Sequence, residues 1–279
     1  MKKITYLFAL MSLMLFVSCT KHEILFETVP VGDKAEFQLH YFEPITGVAA
    51  NYIDSVFVNG TLYSSVLGSG QLIPYNGVPG GATGRFFTVQ TGNVNFTFWR
   101  AGTVVYNQNV TLTSGKQNVF VHDLTKPPIV VDNYYPYTDI RLAHGNAATW
   151  NTDSLQTVAF YNFLYEDANT PYPGKIQYQY QDKRTLEWKN VGNAAAFGEG
   201  SGRQQIVVVK DVFNSQGSTR VDYRMVDENG VVLQLMSSSG TMVNYSDWWT
   251  GTIGRAYMHI FGGIRTAAPV ASIRVWTSL

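Results

Sequence analysis

The sequence predicts an all-β protein built from two antiparallel β-sandwich domains in tandem. After residue 34, short runs rich in Val, Ile, Phe, Tyr and Thr alternate with Gly, Asn, Asp, Ser and Pro, which is typical of strands joined by turns. No segment keeps a helical apolar spacing over three turns with a cap at both ends, so no helix is predicted. The 279 residues, of which 45% are hydrophobic, suffice for two ordinary domains with buried cores.

The strand pattern is clearest in the first half of the chain. Six strands are predicted there, at 35–42, 53–58, 85–90, 94–100, 103–112 and 117–122. Asn59-Gly60 separates two apolar runs, and this dipeptide tolerates the positive φ angles of a two-residue type I′ turn. Asp227-Glu228-Asn229-Gly230 predicts a second hairpin of the same kind, between 221–226 and 231–235.

A pair of prolines marks the predicted domain boundary. Pro127-Pro128 stiffens the chain and cannot donate backbone N–H groups to a sheet, which suits a linker better than a strand interior. The predicted layout is a signal peptide at 1–18, a lipidated tether at 19–34, a first sandwich at 35–126, a linker at 127–137 and a second sandwich at 138–279.

Several segments of the first half have counterparts in the same order in the second half. The matched pairs are 38–40 with 141–144, 54–56 with 153–155, 94–105 with 221–232 and 115–122 with 254–260. This collinearity indicates an internal repeat. The segment 166–203 has no counterpart and is interpreted as an inserted hairpin or long loop. The order of strands resembles the envelope β-sandwich family called domain of unknown function 4397, which implies immunoglobulin-like or related antiparallel sandwiches and brings no catalytic residues.

The N-terminus has the three parts of a bacterial export signal. Lys2 and Lys3 precede an apolar run over 4–17 that is too short to span a membrane. The run ends in Phe16-Val17-Ser18-Cys19, which resembles the lipobox of bacterial lipoproteins, although that family prefers Leu where Phe16 stands. The resemblance implies cleavage before Cys19, lipidation of its thiol and an N-terminal lipid anchor. The alternative is an ordinary secreted protein whose signal contains a cysteine.

The residues around that cysteine also bear on location. No Asp follows Cys19, so the resemblance favours the outer membrane over inner-membrane retention, on either its periplasmic or its cell-surface face. Asp54-Ser55-Val56 and Asp153-Ser154-Leu155 resemble the O-glycosylation sequon of some Gram-negative bacteria. Alternating strand residues explain both triplets equally well.

Composition and motifs argue against several function classes. The 20 basic residues are balanced by 20 acidic ones, so no nucleic-acid partner is expected. The single cysteine excludes an intrachain disulfide and a Cys-based zinc site, and none of the five histidines stands in a metal-binding pair. No nucleophile-elbow motif is present, and the adjacent carboxylates point to opposite faces of a strand. We therefore expect no enzyme, no metal and no cofactor.

Aromatic residues supply the candidate ligand contacts, namely Trp248, Trp249, Tyr172 and Tyr178. Exposed Trp and Tyr suit sugar rings or a protein partner, whereas buried ones would only fill the cores and the seam between domains. Because neighbouring strand residues face opposite ways, one of the two tryptophans is expected in the core and the other outside.

The function expected from these features is that of a lipid-anchored envelope protein serving as a non-catalytic adhesion or interaction module. The first alternative is a surface glycan-binding lipoprotein of a polysaccharide uptake system, and the second is a secreted hydrolase. The expected partners are the membrane, through the N-terminal lipid, and either a protein or a polysaccharide.

Overall fold

The structure, a computed structural model, describes residues 33–65, 72–73, 86–133, 155–207 and 218–277. In these ranges the chain forms strands, one 3-10 turn and loops. The predictions on the signal peptide, on Cys19, on linker residues 134–137, on the repeat segment 141–144 and on Asp153-Ser154 lie outside the described residues.

The first repeat comprises the first eight strands. They are β1 (Lys34–Tyr41), β2 (Ser55–Val58), β3 (Thr61–Ser65), β4 (Phe87–Gln90), β5 (Gly92–Arg100), β6 (Thr103–Leu112), β7 (Gly115–Val121) and β8 (Ile129–Asp132).

The second repeat comprises the remaining ten strands. They are β9 (Leu155–Tyr165), β10 (Gln177–Gln181), β11 (Trp188–Asn190), β12 (Gly200–Val207), β13 (Ser218–Val226), β14 (Gln234–Met236), β15 (Met242–Asn244), β16 (Ser246–Thr252), β17 (Ala256–Ile264) and β18 (Ser272–Thr277).

The two repeats have the same topology. Each contains an inner sheet, ordered β4-β1-β7-β8 in the first repeat and β12-β9-β17-β18 in the second. Each also contains an outer sheet, ordered β3-β2-β5-β6 in the first and β11-β10-β13-β16 in the second. In both inner sheets the two central strands run parallel, while the flanking strands are antiparallel to them. The β14–β15 hairpin is the added element of the second repeat.

This topology supports the predicted internal repeat. It agrees with two of the four predicted pairs of matching segments. β5 corresponds to β13 and β7 to β17, as expected from the sequence. Within the described residues β9 takes the place of β1, while the predicted counterpart at 141–144 lies outside them. The segment 166–203 is no insertion, since it contains β10 and β11, the counterparts of β2 and β3. Sequence comparison failed there because the loops between these strands differ in length, whereas the hydrogen-bonded order of the strands is retained.

The predicted strands agree with the structure closely, and the two turns less so. All six strands predicted in the first half are present, one of them with the predicted bounds 103–112. Asn59 and Gly60 have φ angles of 49° and 76°, as a type I′ turn requires. At the second hairpin only Gly230 has a positive φ, of 79°, because the Asp227 carboxylate accepts N–H groups across a wider turn. Residues 129–132 of the predicted linker form strand β8.

The all-β fold class is confirmed, and residues 33–279 form one compact unit, so the division into two domains stays a prediction. The strand order is not that of an immunoglobulin constant domain, which holds its first two strands in one sheet. Here β1 and β2 lie in opposite sheets.

Three apolar layers hold the four sheets together. One core lies between the sheets of the first repeat and another between those of the second. A third joins the two inner sheets, where the Phe163 ring lies 4.7 Å from Phe120 and 6.0 Å from Phe42. The sheets therefore stack as outer, inner, inner and outer, which leaves the two outer sheets with one face each toward solvent.

Three histidines are buried in these layers. His40 contacts Asn118 at 3.2 Å, His122 contacts the Tyr165 hydroxyl at 2.8 Å and His259 contacts the Tyr178 hydroxyl at 2.9 Å. Burial lowers the pKa of His40 and of His259 to about 3 and that of His122 to about 4. The sequence-based interpretation of these histidines as hydrogen-bonded core residues is confirmed.

Candidate functional site

The structure separates the four predicted contact residues. Trp248 is 49% exposed on β16, whereas the neighbouring Trp249 is 5% exposed and lies in the core, so the predicted opposition of these two rings is confirmed. Tyr178 is fully buried, and Tyr172 is half-buried against the same core. Trp249 and Tyr178 are therefore corrected from ligand contacts to core residues.

The correction at Tyr178 has a simple local reason. Strand β10 reads Gln-Tyr-Gln-Tyr-Gln, and successive side chains of a strand point to opposite faces. Tyr178 and Tyr180 therefore enter the core, and Gln177, Gln179 and Gln181 lie on the outward face. The Tyr178 ring stacks on Phe160 at 5.4 Å between centroids.

Two tryptophans mark the outward face of the second outer sheet. We call this surface the tryptophan face, and it consists of Gln179, Gln181, Lys183, Trp188, Asn190, Arg220, Asp222, Arg224 and Trp248. Trp188 lies opposite Gln181, and Trp248 lies opposite Asp222. The register of β10 against β13, continued by one residue, places Gln181 beside Asp222. The rings thus stand at the two ends of one row across the sheet, about 14 Å apart by the usual strand spacing.

An arginine lies over each tryptophan ring. The Arg220 guanidinium carbon is 5.0 Å from the centre of the Trp248 ring, and that of Arg224 is 4.4 Å from the centre of the Trp188 ring. Such cation–π contacts restrain both partners. One face of each ring is thereby covered by a guanidinium, so a ligand can stack only on the opposite face.

Hydrogen bonds connect the polar side chains between the rings. Arg224 Nε donates to Gln179 Oε1 at 2.9 Å, and Gln179 Nε2 donates to Asn190 Oδ1 at 2.9 Å. Arg220 Nε donates to Asp222 Oδ1 at 2.8 Å, and Lys183 Nζ donates to the other carboxylate oxygen. The side chains are thereby positioned before any ligand arrives.

Asp222 is the carboxylate of this network. Partial burial alone would raise its pKa, but the hydrogen bonds and charges of Lys183 and Arg220 outweigh burial and hold the pKa below its usual value. The carboxylate therefore remains ionised and serves as an acceptor.

The first repeat provides an internal comparison for Trp248. Strands β5 and β13 occupy equivalent places in the two outer sheets, and their buried residues align so that Phe96 is equivalent to Tyr223. Asn95 is therefore equivalent to Asp222. Asn95 lies opposite Asn109 just as Asp222 lies opposite Trp248. The first repeat thus has an asparagine where the second has an exposed tryptophan. The fold does not require an aromatic residue at this position.

Sequence reasoning missed Trp188 and both arginines. Trp188 lies on a strand of three residues, too short for a period-two pattern to be recognised. The sequence does contain one signal for this surface: the alternation of Gln and Tyr in β10, which places a row of glutamines on the outward face of the strand next to β11. Only strand pairing shows that this row ends in a tryptophan on each side.

Among the residues that the structure describes, no group of His, Cys, Asp and Glu side chains is placed to hold a metal ion. No described helix has the length and hydrophobicity to cross a membrane. In the triplet Asp54-Ser55-Val56, Asp54 accepts the backbone N–H of Ala101, Ser55 is half-buried and Val56 is buried.

Comparisons with known proteins reveal only distant similarity. No family model and no curated protein matches the chain. Among solved structures, a leucine-rich repeat protein from Bacteroides thetaiotaomicron matches at 10% identity and a TM-score of 0.21, over 83% of this chain and 26% of that one. The Bacillus anthracis TIE protein matches at 10% identity and a TM-score of 0.19, over 81% and 33%. A Streptococcal ancillary pilin matches at 9% identity and a TM-score of 0.16, over 77% and 58%. The chain spans less than two thirds of each of these proteins.

Proposed function

We propose that this protein is a lipid-anchored, non-catalytic glycan-binding protein of the outer membrane, and that the tryptophan face is its binding surface. The observation that carries the proposal is the exposed Trp248, at a position where the first repeat has Asn109. A large apolar ring that the fold does not require, held toward solvent by Arg220, is best explained by a ligand.

The chemistry of the face suits a carbohydrate. Sugar rings present apolar C–H surfaces that stack on tryptophan, and their hydroxyl groups need donors and acceptors around the rings. Trp188 and Trp248 supply the stacking surfaces, while Gln179, Gln181 and Asp222 supply the polar groups between them. A row of this length favours an extended oligosaccharide over a single sugar.

Binding is tested by replacing Trp248 with the residue of the first repeat. Trp248→Asn should leave the urea unfolding midpoint near that of the wild type and abolish binding on a glycan array. Val231→Asn, which changes a side chain that is 62% exposed in the turn after β13, is the matched control and should retain binding. Unchanged glycan binding by Trp248→Asn would refute the assignment of this face.

The anchor is tested separately, at Cys19. In cells labelled with palmitate, Cys19→Ala should release the protein from the membrane fraction and remove the label, because acylation is the proposed means of attachment. Continued labelling and membrane association of the variant would refute the anchor.

A second candidate function, adhesion to a protein, is favoured by the outward face of the first repeat. Leu62 is 52% exposed and Val104 is 41% exposed, and they flank Phe57 and Trp99, whose rings meet edge to face at 6.4 Å. Apolar patches of this kind mark protein contacts. Leu62→Asn with Val104→Asn should then reduce attachment of cells to immobilised host or matrix protein, without affecting glycan binding.

A further inference from the structure

Arg224 differs from the other cations of the tryptophan face in having no carboxylate partner. Lys183 and Arg220 both form ion pairs with Asp222. Arg224 bonds to the neutral Gln179 and stacks on Trp188, and within the described part of the chain no Asp or Glu oxygen lies within ion-pair distance of it. Its charge is therefore not compensated locally.

The pKa of Arg224 agrees with this geometry. Partial burial lowers the pKa of its guanidinium, and no acidic side chain contributes an opposing effect. For Arg265, by contrast, hydrogen bonds from its guanidinium to the Glu166 carboxylate raise the pKa. An arginine that is partly desolvated without a counter-charge provides a favourable place for an external anion.

The face as a whole also carries excess positive charge. It contains three cations, Lys183, Arg220 and Arg224, and one carboxylate, Asp222. The Nε atom of Arg224 is occupied by Gln179, which leaves the two terminal nitrogens of the guanidinium to form a two-pronged contact with a carboxylate. The planar group already lies over Trp188, next to where a sugar ring would stack.

We propose that the glycan bound by the tryptophan face is acidic, and that Arg224 pairs with the carboxylate of a uronic acid unit. This inference rests on the proposed glycan-binding function and specifies its substrate class. Stacking on Trp188 and Trp248 provides affinity for any pyranose chain, whereas the ion pair at Arg224 provides the preference for uronate over neutral sugar. Salt should therefore weaken binding of the acidic chain more than that of the neutral one.

The test measures affinities of the full chain for two oligosaccharides of equal length, an oligogalacturonate and a cello-oligosaccharide, by isothermal titration calorimetry. We expect the oligogalacturonate to bind at least tenfold more tightly. In Arg224→Gln this ratio should fall to within twofold, and in Arg224→Lys it should be intermediate, because lysine keeps the charge and loses the two-pronged geometry. Arg255→Gln, which removes the same charge from the exposed turn before β17, should keep the full ratio.

The outcomes separate this inference from the proposed function. Equal affinities of the wild type for both oligosaccharides would overturn the acidic preference and leave glycan binding intact. An Arg224→Gln variant that loses affinity for both chains in proportion would also overturn it, since a merely structural role gives that result. Binding of neither oligosaccharide, together with tight binding of a short polyglutamate peptide, would overturn both proposals in favour of an acidic protein partner.

Discussion

Acidification from pH 7 to pH 5 is expected to destabilise this protein strongly, because three histidines are buried in neutral form. His40 and His259 are 0% exposed and His122 is 6% exposed. Their pKa values lie at about 3, 3 and 4 in the folded chain, against 6.5 for an ordinary histidine. Below pH 6.5 the unfolded chain therefore binds more protons than the folded chain. Stability falls as the pH drops, and continues to fall until the folded pKa values are reached.

The magnitude follows from the same pKa values. Each histidine whose folded pKa lies well below 5 removes about 2 kcal/mol between pH 7 and pH 5, or about 6 kcal/mol for the three together. Acidic groups with lowered pKa, such as Asp182 and Asp222, contribute their losses only below this window. Glu43 opposes the trend slightly, because burial raises its pKa and the folded chain takes up its proton earlier. A loss of this size is comparable with the whole stability of a typical domain.

The assay is urea unfolding of the full chain at pH 7, 6 and 5, followed by tryptophan fluorescence. His40→Gln serves as the informative variant, because its amide stays neutral throughout and retains a donor for Asn118. Whatever its stability at pH 7, this variant should lose about 2 kcal/mol less than the wild type on going to pH 5. A wild-type loss below about 1 kcal/mol, or the same loss in both proteins, would refute the argument from buried neutral histidines.

Further predictions concern the stability of four variants. Gly263→Ala should destabilise the chain by more than about 3 kcal/mol, or prevent folding, because φ is +125° and the new Cβ would lie 2.4 Å from Ala271 Cα. Gly230→Ala, at φ +79° with open space around it, should cost only about 1–2 kcal/mol in the same urea titration. Phe163→Ala should cost about 3–5 kcal/mol by removing the ring that joins the two inner sheets, and a loss below about 1 kcal/mol in urea unfolding would contradict that packing. Asp227→Ala should cost about 1–2 kcal/mol in thermal or urea unfolding, since two backbone N–H groups lose their acceptor.

Some elements of the structure follow from short segments of the sequence. The strand at 103–112 and the Asn59-Gly60 turn were predicted from residues that lie next to one another along the chain, and both are present. Trp248 and Trp249 were expected on opposite sides of a strand for the same local reason. Tyr178 is a core residue and not a ligand contact, because Gln and Tyr alternate along β10 and the tyrosines face inward.

The candidate site shows where sequence reasoning stopped. Trp188 and Trp248 are 60 residues apart in the chain, and each lies at one edge of the same sheet. Their alignment in one row depends on the register of three strand pairs, to which no short segment of the sequence is sensitive. Likewise, Arg224 meets a neutral glutamine and an aromatic ring instead of a carboxylate because strand pairing brings Gln179 and Trp188 beside it.

The sequence by itself determined the all-β class, the approximate positions of six strands in the first half and the direction in which strand side chains point, because the period of two along a strand is a local property of the backbone. It also carries the lipobox-like signal at Cys19, which stays a prediction. Only the tertiary structure decided the order of the strands, the stacking of four sheets and the assembly of the tryptophan face. These depend on hydrogen bonds and apolar contacts between distant segments, whose partners are selected by the packing of the whole chain and not by neighbouring residues.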